Sequence, residues 1–392
     1  MIAKARWTVL CVAGLLASCA TTLSASDVSR PRVAYAGFAL VGAADDLRDL
    51  YPAAYELQAT LNAALYERVQ DVRPEHYDLV TSSILQADKG DTVALAFALE
   101  FERVSVERIA GVYKALVEFS AQALVFDFDG EERAIIASYP VQQLPYVDVF
   151  EERPTATQLN ELARRYLLTG FDGGESLIDE FVNVIARAPI RQKYAQELGI
   201  GEILFTDDAL AQIPSTQRES MAAFQYQIGR RLASELARHQ GVSVIPFQPD
   251  ASVANLAMRF TGERSMTFLR LPEPDYVVDM ALLTLSRDVY SASSVGKAYL
   301  YGAHAQMRLR EGFSAETALF NQYVLNGEVK EVPASQDEID HWSASLDSLW
   351  GLLAGFSSEI DSPSREWTKV HELTRADQNE YKAFAEVLEQ CR

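Results

Sequence analysis

The chain is poor in cysteine, in positive charge and in long apolar runs, and each shortage removes a class of function. Its three cysteines are Cys11, Cys19 and Cys391. No CxxC and no Cys/His cluster occurs, so a thiolate zinc site is excluded; if the leader is removed before Cys19 and that thiol is lipidated, Cys391 is left as a single terminal thiol that cannot make an intramolecular staple. Lys and Arg number 35 against 55 Asp and Glu, for a net charge of −20. Such a surface repels phosphate backbones, which argues against nucleic acid as a partner. Local catalytic motifs are missing as well. Gly312-Phe313-Ser314-Ala315-Glu316 fails GxSxG at its last position, and His371-Glu372 runs on to Arg375 where HExxH needs a second histidine. Gly170, Gly173 and Gly174 do not form GxGxxG, and no strand leads into them. The acidic run Asp127, Asp129, Glu131, Glu132 lacks the spacing of a calcium loop and reads as a turn. His76, His239, His304, His341 and His371 are scattered singly. No catalytic, cofactor-binding or metal residue is therefore assigned, and only an enzyme with a nonlocal site stays open.

What is present describes an exported, folded chain. Hydrophobic residues make up 48% and charged residues 23% of 392 positions, enough for two domains with a core each. Lys4 and Arg6 precede an apolar stretch from Trp7 to Ala17, too short to span a bilayer and suited to a signal peptide over residues 1–18. Leu16-Ala17-Ser18-Cys19 follows and resembles the bacterial lipobox. That resemblance implies lipidation at Cys19 as the first mature residue. Ala20, where Asp would favour inner-membrane retention, implies the periplasmic face of the outer membrane; the alternative is a soluble periplasmic protein cleaved after Ala20 or Ala25. Residues 19–31 then form a tether with a reach of about 20 Å.

Two α/β modules are expected, over 32–190 and 191–392. In the first, Val33 to Val41 reads as a strand with a close approach at Gly37, and Ala53 to Val69 as a helix. Val93 to Phe101 and Tyr113 to Val125 alternate with period two, predicting antiparallel strands with one face on a core and a mixed face carrying Lys114, Glu118, Ser120 and Gln122. Asp129-Gly130 predicts a hairpin turn, and helices over about 158–168 and 175–188 close the module. In the second, strands are expected at 199–205 and 242–247, helices at 222–240 and 253–260, and a long hairpin from Asp275 to Arg310. Asn326-Gly327 suggests a further turn. Ser335 and Glu338 read as a capping box for a helix through Trp342 and Phe356, and a last helix runs from Trp367 to Leu388. The fold class is α+β: two tandem modules, each a mostly antiparallel sheet with a long β-hairpin packed on helices.

Residues 92–115 and 275–298 support a repeat. They agree at six positions, Ala98 and Ala281, Leu99 and Leu282, Val106 and Val289, Val112 and Val295, Lys114 and Lys297, Ala115 and Ala298. Chance gives roughly one or two in about 24. A one-residue bulge between Ala298 and Ala305 would align the apolar faces of the second strands. On that strand His304, Gln306, Arg308 and Arg310 form a polar stripe, a candidate binding surface that also suits a solvated sheet face.

The order of elements, with Pro274-Asp275-Tyr276-Val277-Val278-Asp279 entering the hairpin, resembles the small α/β domain of the TolB amino-terminal domain, the CsgG secretion lipoprotein and auxiliary lipoproteins of ABC-type transport. The resemblance implies an envelope protein working through protein contacts. The expected function is thus a non-enzymatic outer-membrane lipoprotein serving as an assembly, scaffold or transport-accessory factor. A small-ligand or lipid-binding protein is the alternative and an envelope hydrolase the third. A deep apolar pocket would favour the ligand, a sealed core with an exposed sheet edge the protein partner.

Overall fold

In a computed structural model the described residues are 30–42, 47–81, 93–109, 112–128, 133–190, 196–218, 221–248, 255–294, 296–314, 318–333 and 340–392. The first half of the chain runs β1 (Arg32–Val41), α1 (Leu47–Leu50), α2 (Pro52–Gln70), β2 (Asp78–Val80), β3 (Val93–Ile109), β4 (Val112–Asp127), β5 (Ile135–Gln142), β6 (Tyr146–Phe150), α3 (Ala156–Leu168) and α4 (Leu177–Arg187). The second half runs β7 (Leu198–Phe205), α5 (Asp207–Gln212), α6 (Ser215–Arg218), α7 (Met221–Gln240), β8 (Asn255–Phe260), β9 (Thr267–Arg270), β10 (Tyr276–Ser293), β11 (Gly296–Glu311), β12 (Ala318–Pro333), α8 (His341–Glu359), α9 (Arg365–Val370) and α10 (Arg375–Gln390). The fold is α+β, with two mostly antiparallel sheets, each carrying a long hairpin against helices.

The first sheet follows the order β5-β4-β3-β1-β8-β9, and the second β12-β11-β10-β7. The path β5-β4-β3-β1 repeats that of β12-β11-β10-β7, and in both the first strand lies parallel to the hairpin. A one-residue bulge at Glu100 falls between Leu99 and Phe101, and one at Leu283 between Leu282 and Thr284. In the register that lays Leu99 on Leu282 these two bulges coincide. Lys114 and Lys297 lie near the starts of β4 and β11. The bulge expected in β11 between Ala298 and Ala305 is absent. The extra residue is Tyr290 in β10, opposite the step from Ala298 to Tyr299, because either strand of a pair can absorb an insertion.

One face of the first sheet is covered by α2, α3 and α4, where Leu61, Leu65, Tyr166 and Phe181 meet Tyr35, Phe97 and Phe119. Capping boxes at Thr155 with Gln158 and at Ser176 with Asp179 start α3 and α4. Gly37 has φ +106 beside a register shift in β1, and a Cβ there would meet Asn62 Oδ1 at 2.9 Å, the atom that accepts the Phe38 N–H. The opposite face is closed by β8 and β9, which come from the second half of the sequence. Arg270 forms a parallel bridge with Ala134 just before β5, so the sheet curls until its two edges touch. Ala39, Ala94, Ala96 and Ala98 line this curl with Leu256 and Met258, small side chains where the strands converge.

Several local expectations change under this arrangement. Residues 242–247 are not a strand; Val244 N–H bonds Ser138 and Ile245 N–H bonds Leu198, so the segment stitches β5 to β7 and joins the two sheets at their edges. Residues 255–260 form β8 rather than a helix, since Leu256, Met258 and Phe260 alternate inward against β1. Asn326-Gly327 lies within continuous β12 opposite Ala303 and Gly302, so turn propensity yields to pairing. The last helical stretch is broken at His371–Thr374 into α9 and α10, where Glu372 has φ +49 and Thr374 caps a new start. The mixed face of β4, to which the alternation assigned no cover, is buried at Glu118, Ser120 and Gln122. Cys19, Asp129-Gly130 and the Ser335/Glu338 capping box lie outside the described residues.

Candidate functional site at the seam between the sheets

The seam is built by α7, which is buried on two sides. Phe224, Ile228, Leu232 and Leu236 recur at helical spacing and enter the core of the second sheet, worth about 1.5–3 kcal/mol each when fully buried. Arg230, Arg231 and Glu235 are buried as well. The opposing surface of the first sheet is set by the Glu100 bulge. Below it Leu99 pairs with Ala121 on the face of α2; above it Phe101 pairs with Ser120, so the parity of β3 reverses. Glu102 is thereby sent to the α2 side, where its carboxylate accepts the Ala53 and Ala54 N–H groups at 2.7 and 2.9 Å. Arg103, opposite Glu118, is sent to the α7 side.

A polar chain runs through the seam. Ser138 Oγ donates to Gln122, Gln122 Nε2 donates to Glu100 at 2.9 Å, and Glu100 stands 2.9 Å from Arg230 Nε. The Arg230 N–H is not aimed along that line, so the contact is an ion pair rather than a straight hydrogen bond. The guanidinium also lies over the rings of Tyr226 and Phe101, at 5.1 and 5.5 Å. Burial works against the charge of Arg230, but Glu100, Tyr226, Glu118 and Tyr51 more than restore it and raise its pKa. Burial pushes the Glu118 carboxyl up, opposed by the Gln227 amide at 3.3 Å and the charges of Arg103, Arg230 and Arg231. Burial pushes Glu102 up to about 7, against the pull of the Ala54 and Ala53 N–H groups.

Beside this chain is a cleft of about 60 Å³, lined by Arg103, Lys114 and Leu116 of the first sheet, Gln217, Phe224 and Gln227 around α7, and Asp340, Trp342, Ser343 and Leu346 of α8. Lys114 Nζ bonds Asp340 and Ser343 Oγ at 3.1 Å each. Asp340 caps α8 by accepting the Trp342 and Ser343 N–H groups. Although burial disfavours its charge, the Ser343 hydroxyl and N–H and the Lys114 ammonium hold its carboxyl below the usual range.

Sequence reading marked Lys114 and Trp342 and noted Glu118, but did not bring them together. It missed Glu100, Arg103 and Arg230; the available signal was the pair Arg230-Arg231 between Ile228 and Leu232, two residues of the apolar row of α7. The polar stripe His304, Gln306, Arg308, Arg310 lies half-exposed on the outer face of the second sheet. There Arg310 pairs with Asp279 at 2.7 Å and Gln306 donates to Asn321 at 2.7 Å, so part of its polarity is spent within the sheet. The histidines have separate hydrogen-bond or ion-pair partners: His341 Nδ1 meets Tyr301 at 2.6 Å, His371 Nε2 serves the N–H of Leu325, the cross-strand neighbour of His304, and His239 sits beside Glu235 at 3.4 Å. Among the described residues no group of three or more His, Cys, Asp or Glu is arranged to hold a metal.

No family model matches the chain, and no curated protein does. Among solved structures it is similar to a neuraminyllactose-binding hemagglutinin homolog from Helicobacter pylori, with 15% identity and a TM-score of 0.25 over 50% of this chain and 97% of that one.

Proposed function

We propose that the protein is a non-enzymatic lipoprotein of the outer membrane's periplasmic face, lipidated at Cys19, that acts as an assembly, scaffold or transport-accessory factor through protein contacts. The observation that carries the address is Leu16-Ala17-Ser18-Cys19 behind a charged, apolar leader. The mode of action is supported by closed cores on both sheets and by a cleft of about 60 Å³, small beside the 300–1,000 Å³ of typical small-molecule pockets. No described helix is long and apolar enough to cross a membrane. The coincident bulges and equal strand paths support reading the two halves as copies of one unit.

Strand edges suggest where a partner sits. The outer edge of β12 is occupied by side chains, with Glu380 accepting the Asn321 N–H and His371 the Leu325 N–H. β7 is closed at Leu198 by Ile245. Among the described residues β6 pairs with β4 alone, and it presents Val147 and Val149 to solvent. Two experiments test the proposal. Labelled fatty acid is expected to enter the wild-type protein and not Cys19→Ser; a mature chain starting at Thr21 or Ser26 without lipid defeats the anchor. A photo-crosslinker at Val149 in intact cells is expected to capture a defined envelope protein, and recovery of uncrosslinked chain alone from this and from His304 defeats the contact role.

A further inference from the structure

The polar lining of the seam cleft is unbalanced toward donors. Asp340, the one carboxylate in the lining, already receives two backbone N–H groups, the Ser343 hydroxyl and Lys114. Glu118, behind it, is turned toward Gln227 of α7. Arg103 differs from the other cations around the cleft. Lys114, Arg230 and Arg231 each have a carboxylate at 3.1 Å or closer, whereas Arg103 has none within ion-pair distance among the described residues, although Glu118 is its cross-strand neighbour. Lys114 has one further N–H, and the Gln217 amide also borders the space. Leu116, Phe224, Trp342 and Leu346 supply the apolar remainder.

A guest that only accepts hydrogen bonds and carries an apolar neighbour matches such a lining, and a carboxylate satisfies the planar fork of an arginine with two parallel bonds. The volume sets its size. A space of about 60 Å³ holds a terminal carboxylate and the start of a side chain, not a free ligand buried over most of its surface. The approach fits a polypeptide. Val149 pairs with Lys114 and Val147 with Leu116, so the exposed valines of β6 share a sheet face with the cleft and form an apolar ramp to it.

We infer that the cleft between Arg103, Lys114 and Trp342 receives the C-terminal carboxylate of a partner polypeptide whose last residues are apolar, laid over Val147 and Val149. This rests on the contact role proposed above and names the chemistry that the partner must present.

The test uses the purified chain, an N-acetylated Ala-Ala-Val-Leu peptide with a free C-terminus, its C-terminal amide, and hexanoate, read by calorimetry and by the fluorescence of Trp342 with Trp342→Phe as control. Saturable binding of the free acid is expected, with the amide at least about tenfold weaker and Arg103→Gln weaker by about 10–100-fold, the worth of a charged hydrogen-bonded contact. Leu116→Phe, which fills the cleft and keeps every charge, is expected to lose binding too, so that a folding defect in Arg103→Gln does not decide the matter. Equal binding of acid and amide, an unaffected Arg103→Gln of normal melting temperature, no saturable binding, or hexanoate binding as tightly as the peptide would each overturn the inference. If the peptide fails while Val149 or His304 still crosslinks an envelope protein, the inference falls and the contact role stands. Absence of both defeats the two together.

Discussion

Glu100 owes its position to a single extra residue in β3. The bulge turns Phe101 and Arg103 toward α7 and Glu102 toward α2, so one insertion serves two sides of the sheet. The charge at Glu100 is tolerated in the seam because Arg230 and Gln122 meet it there. Removing one partner of a buried pair strands the other, which costs more than removing both. Arg230→Met is therefore expected to destabilise the protein by about 3–5 kcal/mol, and the double variant Glu100→Leu with Arg230→Met to recover most of that loss, as read from urea unfolding midpoints. A double variant no better than the single one would show that the aromatic contacts of Arg230 with Phe101 and Tyr226, rather than its charge, hold the seam.

At the scale of the element, α2 begins at Pro52 with no side-chain cap from its own N-cap residue Tyr51, and a distant carboxylate does the work instead. Glu102 accepts from Ala53 and Ala54, placing a negative charge at the helix start. Burial nevertheless raises its pKa from the ordinary 4.5 to about 7. A carboxyl whose folded pKa is raised binds its proton more tightly when folded, so its contribution to stability is fully present below about 4.5 and is lost as the pH climbs through about 7. The loss is of the order of 3 kcal/mol from a shift of this size. Wild-type midpoints should fall between about pH 5 and pH 8 relative to Glu102→Gln, which keeps an acceptor for one N–H and does not ionise. Parallel pH profiles for the two proteins would mean that the carboxyl titrates normally beneath α2.

The whole molecule is tied by elements that cross its midpoint. β8 and β9 complete the first sheet, α7 lies between the sheets, and Ser243 to Ile245 bond Ser138 on one side and Leu198 on the other. A fragment of residues 31–190 lacks all three and uncovers Ala39, Ala94, Ala96, Ala98, Leu124 and Phe126 together with Glu100. It is expected to bind a hydrophobic dye and to lack a near-UV circular dichroism signal, whereas the intact chain should unfold in one transition. Trp342, Trp350 and Trp367 all belong to the second half, so their fluorescence should lose intensity at the same denaturant concentration as far-UV ellipticity. Two separated transitions, or a well-ordered fragment, would show the halves to be independent.

The sequence alone determined the α+β class, the long hairpins and most helices, because period-two alternation in β3, β4 and β11 and apolar residues at helical spacing in α7 and α8 are local signals. Its overlay of Leu99 on Leu282 matches the bulges at Glu100 and Leu283, which it did not foresee, while the extra residue expected in β11 is instead Tyr290 of β10. Only the tertiary structure decided the rest. Residues 255–260 are a strand because β1 offers them an edge, Asn326-Gly327 stays extended because β11 pairs along its whole length, and the polar face of β4 is buried because α7 arrives with matching charges. The site was illegible for the same reason. Arg103, Lys114, Gln227 and Asp340 lie up to hundreds of residues apart in sequence and converge only when two sheets meet, a long-range juxtaposition that no local pattern encodes.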